Sequence, residues 1–509
     1  MKKTSRSAVW SKDSNSLQGR LFPWMLVAAL LFGGTAFAQE TTLSPPADDD
    51  WGDENDSDDF DFGDADTQDD KKVIKDSNAP SNWSFRGFIR TDWALWAERL
   101  NDSPWAKGRQ NLDLKLSYKK GIFRFLAAGH AEYDLAYLVN RDKYDQSTLD
   151  TYEWDVQSRE ILAAISLGDV EITLGRQIVA WGEGDALSLL DVVNPRDMRE
   201  PGSADIDDLR LPVLSSRIGW FIGSHRLEAM VIHESDFGLR PSAMGEFSPL
   251  PHLINTQLSE FFPGLPASNF LANKNIFYVD KQERFSLEGQ QYLMRWVYKG
   301  PGVDLGLYGA YVHDQQGTIE LPPTAVISQE KDLPLTLDHA QYWVTGVSGA
   351  AVWDSFLFKW EIAAELERSV NVGTFPEISS VKTDLAGGVL GITWTGVSNL
   401  MISLESSNRW YLDRPEHLLV ELDQPLFALR GQYTMLRERL KLSAMVIMMG
   451  LKAEMGWMAR VEANYELRDG LKLGLGYISY QPGDEFGLLL GLTNHDRIVA
   501  QLRWDFKLL

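Results

Sequence analysis

Charged side chains recur at every second position along most of this sequence, and that spacing limits the chemistry they can do. Arg86 and Arg90, Arg124 and Glu132, Glu361 and Glu365, and Arg460 and Glu462 stand in runs that alternate with apolar residues, and Arg295 sits in a similar run. On a strand such residues share one face. Inside a closed sheet they would line a lumen as mixed-sign rings, which tune what permeates. Packed against one another, the same opposite charges would instead fill a closed interior. Spacing alone leaves both readings open.

Other chemistry has little to stand on. The eight histidines are scattered, with no i, i+4 pair or other zinc spacing, and cysteine is absent. No Gly-x-Ser-x-Gly elbow, phosphate loop or dinucleotide fingerprint occurs, and Gly474-Leu475-Gly476 lies in a strand-like run. We therefore expect no enzyme, cofactor or metal site. A formal charge of −23 also argues against a nucleic-acid partner, because such binding releases counterions through Lys and Arg.

The elements that must position these charges follow from the hydropathy pattern. Residues 1–38 read as a secretory signal peptide: Lys2, Lys3, Arg6, Lys12 and Arg20 precede an apolar stretch, and Ala36-Phe37-Ala38 forms the cleavage site. Residues 39–80 hold thirteen acidic residues between Asp48 and Asp70, too charged to fold, so a disordered periplasmic segment is expected. From 81 to 509, segments of about ten residues alternate with strand periodicity. We count eighteen, with sixteen as the alternative. Trp83, Phe85, Ile89 and Trp93 oppose Arg86 and Arg90; Phe358, Ile362 and Leu366 oppose Glu361, Glu365 and Glu367.

Every second connection is tight, as at Gly168-Asp169, Gly223-Ser224-His225, Asp354-Ser355 and Arg468-Asp469-Gly470. The others are mostly long, at 135–157, 182–212, 234–283 and 368–382 among them. Short turns on one rim and long loops on the other predict an all-β, antiparallel transmembrane barrel, monomeric and lipid-embedded, in the outer membrane of a Gram-negative cell. An even strand count puts both termini in the periplasm. Tyr118, Phe123, Trp220, Phe221, Trp353, Phe356, Trp394 and Trp504 near strand ends read as an aromatic girdle. The last strand resembles the C-terminal signal that the barrel-assembly machinery recognises, with Leu509 where Phe is usual.

One loop is less ordinary. It carries Gly175, Arg176, Gln177, Trp181, Gly182 and Glu183, then Asn194, Pro195 and Asp197. With the barrel pattern over 83–509, this motif resembles an uncharacterised proteobacterial family of outer-membrane barrels associated with RND-type (MmpL-like) exporters. The chain is more distantly similar to alginate-export barrels. The resemblance implies export or trafficking of a hydrophobic or amphiphilic molecule, with an inner-membrane RND-type exporter and a periplasmic carrier as partners. Strand parity puts Arg176 on the lipid side, so either a bulge at Gly175 turns it inward or it lies at headgroup level. The motif residues either contact substrate or brace a folded-in loop. Leu253, Ile254, Leu258, Phe261 and Phe262 form a helix-spaced apolar stripe that would touch greasy cargo or cap the mouth. The alternatives to export are a diffusion porin for small polar solutes and a structural or adhesion barrel with a filled lumen.

Overall fold

The computed structural model describes residues 82–508, except 102–103, 140, 204–208, 253–273, 322–329, 375–376 and 484–487. The expected signal peptide and disordered acidic segment, the Leu253–Phe262 stripe and Leu509 lie outside the described residues.

The chain runs through β1 (Trp83–Trp96), β2 (Trp105–Lys120), β3 (Phe123–Asp134), α1 (Leu135–Val139), α2 (Gln146–Tyr152), β4 (Trp154–Leu167) and β5 (Val170–Gln177). Then follow β6 (Val213–Ile222), β7 (His225–Ile232), β8 (Asn275–Asp280), β9 (Gln291–Gly300), β10 (Val303–His313), β11 (Thr318–Glu320) and β12 (Asp332–Asp338). Next come β13 (Gln341–Trp353), β14 (Phe356–Thr374), β15 (Glu377–Val397), β16 (Leu400–Tyr411) and β17 (Leu426–Met435). The chain ends with β18 (Leu440–Met449), β19 (Gly456–Arg468), β20 (Leu471–Pro482) and β21 (Arg497–Lys507). No described helix is long and apolar enough to cross a membrane.

Eighteen strands form one antiparallel sheet, each paired with its sequence neighbour among them, and β1 pairs β21 from Arg86↔Lys507 to Trp96↔Arg497. That last ladder closes the barrel. The eighteen are the eighteen expected from the alternation. The three others were not foreseen: β8 and β11 flank β12 in a small sheet within the long connections. Its apolar core includes Ala243, Leu250, Ile276, Leu333 and Leu335.

Alternation sorts the two faces. Outward positions are apolar and exposed, with Leu390 at 70%, Met294 at 60% and Ile362 at 59%. Their inward neighbours are polar and buried: Thr173, Glu228, Glu361, Glu365 and Ser407. Water would penalise such an exterior at roughly 25 cal/mol per Å²; hydrocarbon does not. A closed barrel with an apolar outside and a polar inside is an outer-membrane barrel. Exposed Trp83, Trp220, Trp353 and Trp504 mark the turn side, and Trp105, Trp154, Trp343 and Trp410 the loop side. Phe221 departs from the expected girdle, packing under the Arg226 guanidinium at 5.1 Å.

Short turns need backbone that few residues adopt. Asp354 and Asn399 take φ of 54° and 64°, the left-handed region in which Asp and Asn are enriched. The predicted loop 368–382 is instead strand over 368–374 and 377–382: β14 and β15 run 19 and 21 residues, about twice what a bilayer requires. A register shift between Glu365 and Arg368 accompanies Glu367 at φ 59°. Glu367 is consequently exposed and Arg368 buried, which corrects the inward placement expected for Glu367.

The face assignment predicts unequal costs for one substitution at two positions on β19. Ala459→Arg places a charge in the lipid-facing row and should cost about 2–4 kcal/mol of folding stability. Glu462→Arg, on the inner face, should fold with near-normal yield. Heat-modifiable migration on gels reads both, and equal yields would reverse the faces.

Candidate functional site

The connection 178–212 does not project outward from the rim. Its described residues cross the lumen and are fastened to inner-face side chains on several sectors of the wall. The fastening begins at the base. Asn194 accepts the Val179 amide at 2.7 Å and donates to the carbonyls of Gln177 and Leu211. The Pro195 carbonyl accepts the Leu211 amide at 2.7 Å, and the Gln177 side chain donates to Ser215 Oγ at 2.9 Å. Entry and exit of the loop are thereby pinched together.

From that neck the chain turns beneath two buried carboxylates. Glu361 on β14 accepts the amides of Glu183, Gly184, Leu189 and Leu190 at 2.7–3.2 Å, together with the Ser188 hydroxyl. Glu405 on β16 accepts the amides of Asp185, Ala186 and Leu187 at 2.6–3.1 Å. Seven amides of this turn thus converge on two side chains. A compact irregular turn has no ladder to satisfy its N–H groups, and an ionised carboxylate is the acceptor that takes several at once. Gly182 has φ +83°, and a Cβ there would meet Glu361 Oε1 at 2.4 Å. Only glycine fits.

Farther along, ion pairs tie the loop to the opposite wall. Glu200 meets Lys107 and Arg109 of β2 and Arg497 of β21, each at 2.7 Å. Burial alone would raise the Glu200 carboxyl, but these three cations hold it well below the usual carboxylate range. Arg199 pairs with Asp197 at 2.6 Å and with Glu132 of β3 at 3.0 Å. The Tyr480 hydroxyl donates to the Pro201 carbonyl at 2.6 Å, and Arg460 reaches the Gly202 carbonyl at 3.4 Å. Asp191 gathers Arg196 and Arg210 within the loop itself.

Trp181 is buried against Tyr308, in a core with Val179, Leu190, Val312 and Val344. Its indole N–H donates to Glu228 at 3.4 Å. Arg295 forms an ion pair with the same Glu228 at 2.9 Å and donates to the Ala180 carbonyl at 3.0 Å. Arg176 stays in the β4–β5–β6 ladder without a register shift. It pairs with Glu234 at 2.8 Å and donates to the Pro212 carbonyl, groups just beyond the loop ends of β7 and β6. Of the two alternatives for Arg176, the register supports the rim position. Gly175 takes φ +129°, where a Cβ would meet the Ile161 carbonyl at 2.2 Å.

The residues singled out in sequence therefore divide. The motif Gly175 to Asp197 braces a folded-in loop, and Glu132, Arg295, Glu361 and Arg460 receive it. Glu365 instead pairs with Arg368 and Arg409 on the wall, and Arg460 also meets Glu462 at 3.4 Å. Arg86, Arg90 and Arg124 lie on the inner face nearer the turns. Glu405, Glu200 and Arg497 were missed. Inward parity beside Leu404 could have signalled Glu405; nothing local marks the other two. Among the described residues no cluster of side chains is arranged to hold a metal.

A family model described as "Protein of unknown function (DUF1302)" matches residues 99–417. No curated protein matches the chain. Among solved structures it is similar to OccK8 (OprE) of Pseudomonas aeruginosa, at 11% identity and TM-score 0.46, covering 84% of this chain and 99% of that one. OccAB3 of Acinetobacter baumannii is similar at 12% identity and TM-score 0.45, covering 84% and 100%. The outer membrane protein OpdK of Pseudomonas aeruginosa follows at 10% and 0.46, covering 84% and 99%.

Removing the carboxylate of Glu361 should unfasten the constriction. Glu361→Ala takes the carboxylate acceptor from two buried amides, Leu189 and Leu190, and two half-buried ones, Glu183 and Gly184, at about 1–3 kcal/mol for each buried group before the loop relaxes. The expected result is a barrel that still assembles, with the 183–190 turn newly open to proteolysis. Gly182→Ala should reproduce this through its clash with the same carboxylate. Protease resistance equal to the native chain in both would show that the loop is held elsewhere.

Proposed function

We propose that this chain, which belongs to the DUF1302 family of proteins of unknown function, is a loop-constricted outer-membrane channel for small polar solutes. The observation that supports this most is the polar character of the constriction. Its amides are tied to Glu361 and Glu405, and its charges to Glu200, Glu132 and Arg199, on a wall of Ser, Thr and charged side chains. A passage past such groups suits a hydrated solute, which keeps hydrogen bonds throughout its transit. An amphiphile would need apolar lining. The apolar residues inside the loop side, Trp96, Tyr152, Phe247, Tyr480 and Leu489, pack against one another as a core. The expectation of export with an RND-type exporter and a periplasmic carrier draws on the Leu253–Phe262 stripe, outside the described residues, and on the family resemblance.

In this reading the signal peptide is removed, the turns face the periplasm and the long loops face outward, since barrels of this class place short turns on the periplasmic side. A cysteine at Glu416 should label with an impermeant maleimide on intact cells, and one at Ser224 should not.

Planar-bilayer recording tests the channel itself. The native chain should give small, steady conductance, and Glu361→Ala a larger one, because the wall of an eighteen-stranded barrel is wide enough for water once its plug loosens. Absence of conductance in both, with a folded barrel confirmed by heat-modifiable migration, would favour the filled-lumen alternative. Absence of conductance together with altered lipid distribution in a deletion strain would favour export.

A further inference from the structure

The lipid-facing rows of the barrel are largely apolar, and a polar pair interrupts them at the loop ends of β6 and β7. On β6 the outward row runs Leu214, Ser216, Ile218 and Trp220, opposite Arg176, Leu174, Ile172 and Val170 of β5. Ile218, Trp220 and Leu174 are exposed, whereas the intervening Ser215 is buried. On β7 the last residue, Ile232, is fully buried in the core around Trp181. Parity therefore turns His233 outward, where its amide donates to the Leu214 carbonyl at 2.9 Å. There His233 Nε2 lies 2.7 Å from Ser216 Oγ. Both residues are half-buried.

Folding does not call for this pair. Its outward neighbours Leu174, Ile218 and Val231 are apolar, as a lipid-facing wall requires. An ionisable side chain set against lipid is expensive and marks a functional site. A hydroxyl within hydrogen-bond reach of an imidazole is the nucleophile–base arrangement of acyl transfer. Depth then points to the substrate. Arg176, Leu214 and His233 form one cross-strand row at headgroup level. Ser216 lies two residues farther along β6, about 7 Å toward the hydrocarbon. Between headgroup and acyl chain a membrane lipid carries its carboxylic esters.

We propose that Ser216 and His233 form a catalytic dyad on the outer wall that hydrolyses fatty-acyl esters of membrane lipids, an activity separate from the channel. His233 Nε2 takes the Ser216 proton as Oγ bonds the ester carbonyl carbon. The bond from that carbon to the alcohol oxygen of the lipid breaks, and the same proton passes to the departing oxygen. Water then adds to the acyl-serine and gives a proton to Nε2. The carbon–Oγ bond breaks, the proton returns to Oγ, and the fatty acid leaves. The two residues stand 17 apart in the chain, and sheet register brings them together.

The test uses the full-length mature barrel, refolded from inclusion bodies and checked by heat-modifiable migration. A fluorophosphonate probe should attach to Ser216, read by mass spectrometry of the modified peptide. Mixed micelles of phosphatidylethanolamine and, separately, of lipid A supply the two sources of fatty-acyl ester. Fatty-acid release should fall about 100-fold or more in Ser216→Ala. His233→Gln separates catalysis from packing: its amide oxygen still accepts the Ser216 hydroxyl, but the base is gone. That variant should fold as the native chain does and lose both labelling and release. Should Ser216→Ala not fold, His233→Gln and the labelling of the native chain decide the matter. Release from one lipid alone would support the dyad and identify its source of ester. Release that persists in His233→Gln, or a native chain that releases no fatty acid from either lipid, would overturn the dyad and leave the channel standing.

Discussion

An amide or carbonyl exposed to hydrocarbon has no partner, and each one left so costs several kcal/mol. Everything else in this barrel depends on that constraint. Eighteen strands cannot end in an open edge, so β21 returns to β1 along an eleven-residue ladder. Closure then creates the opposite difficulty inside. A ring of this size encloses more space than side chains from the wall can fill, and the interior is wet unless a loop enters it.

The connection 178–212 enters on polar terms. It carries unpaired backbone donors, as any irregular segment does, and the wall meets them with carboxylates placed at inward positions of β14 and β16. Such an anchor differs from a surface ion pair. Glu361 and Glu405 are buried, their hydrogen bonds are charge-assisted, and each replaces several separate acceptors. The second anchor, at Glu200, has three cations from two strands around one carboxylate. Breaking either would strand buried polar groups, the costly case for interior electrostatics. The loop is therefore fastened within the lumen from both sides of the wall.

Much of this was legible in the residues. Period-two alternation from Trp83 onward placed all eighteen barrel strands, because lipid on one side and a polar interior on the other enforce it residue by residue. The tight turns were legible through Gly, Asp, Asn and Ser, whose backbones accept the required angles. Alternation also misled where strands outlast the membrane. Where β14 and β15 outlast the bilayer, no lipid imposes a continuous apolar row, and Val370 and Ile378 are buried instead, Ile378 in one core with Leu321, Leu333 and Leu335. The bulge that turns Arg368 inward and Glu367 outward leaves no mark in the pattern either.

The candidate site divides along the same line. The sequence by itself determined that Glu361, Arg295 and Glu132 face inward, and that Gly175 to Asp197 is an unusual loop, since parity and composition are local properties. Tertiary structure alone decided that Glu361 would bond backbone more than one hundred and seventy residues away, and that Glu200 would meet Arg497. Only the closed register revealed that Arg86 lies between Lys507 and Lys115. These contacts exist because a ring returns the last strand to the first, and because a loop crossing a lumen touches walls that are distant in the chain. Chain order records neither distance.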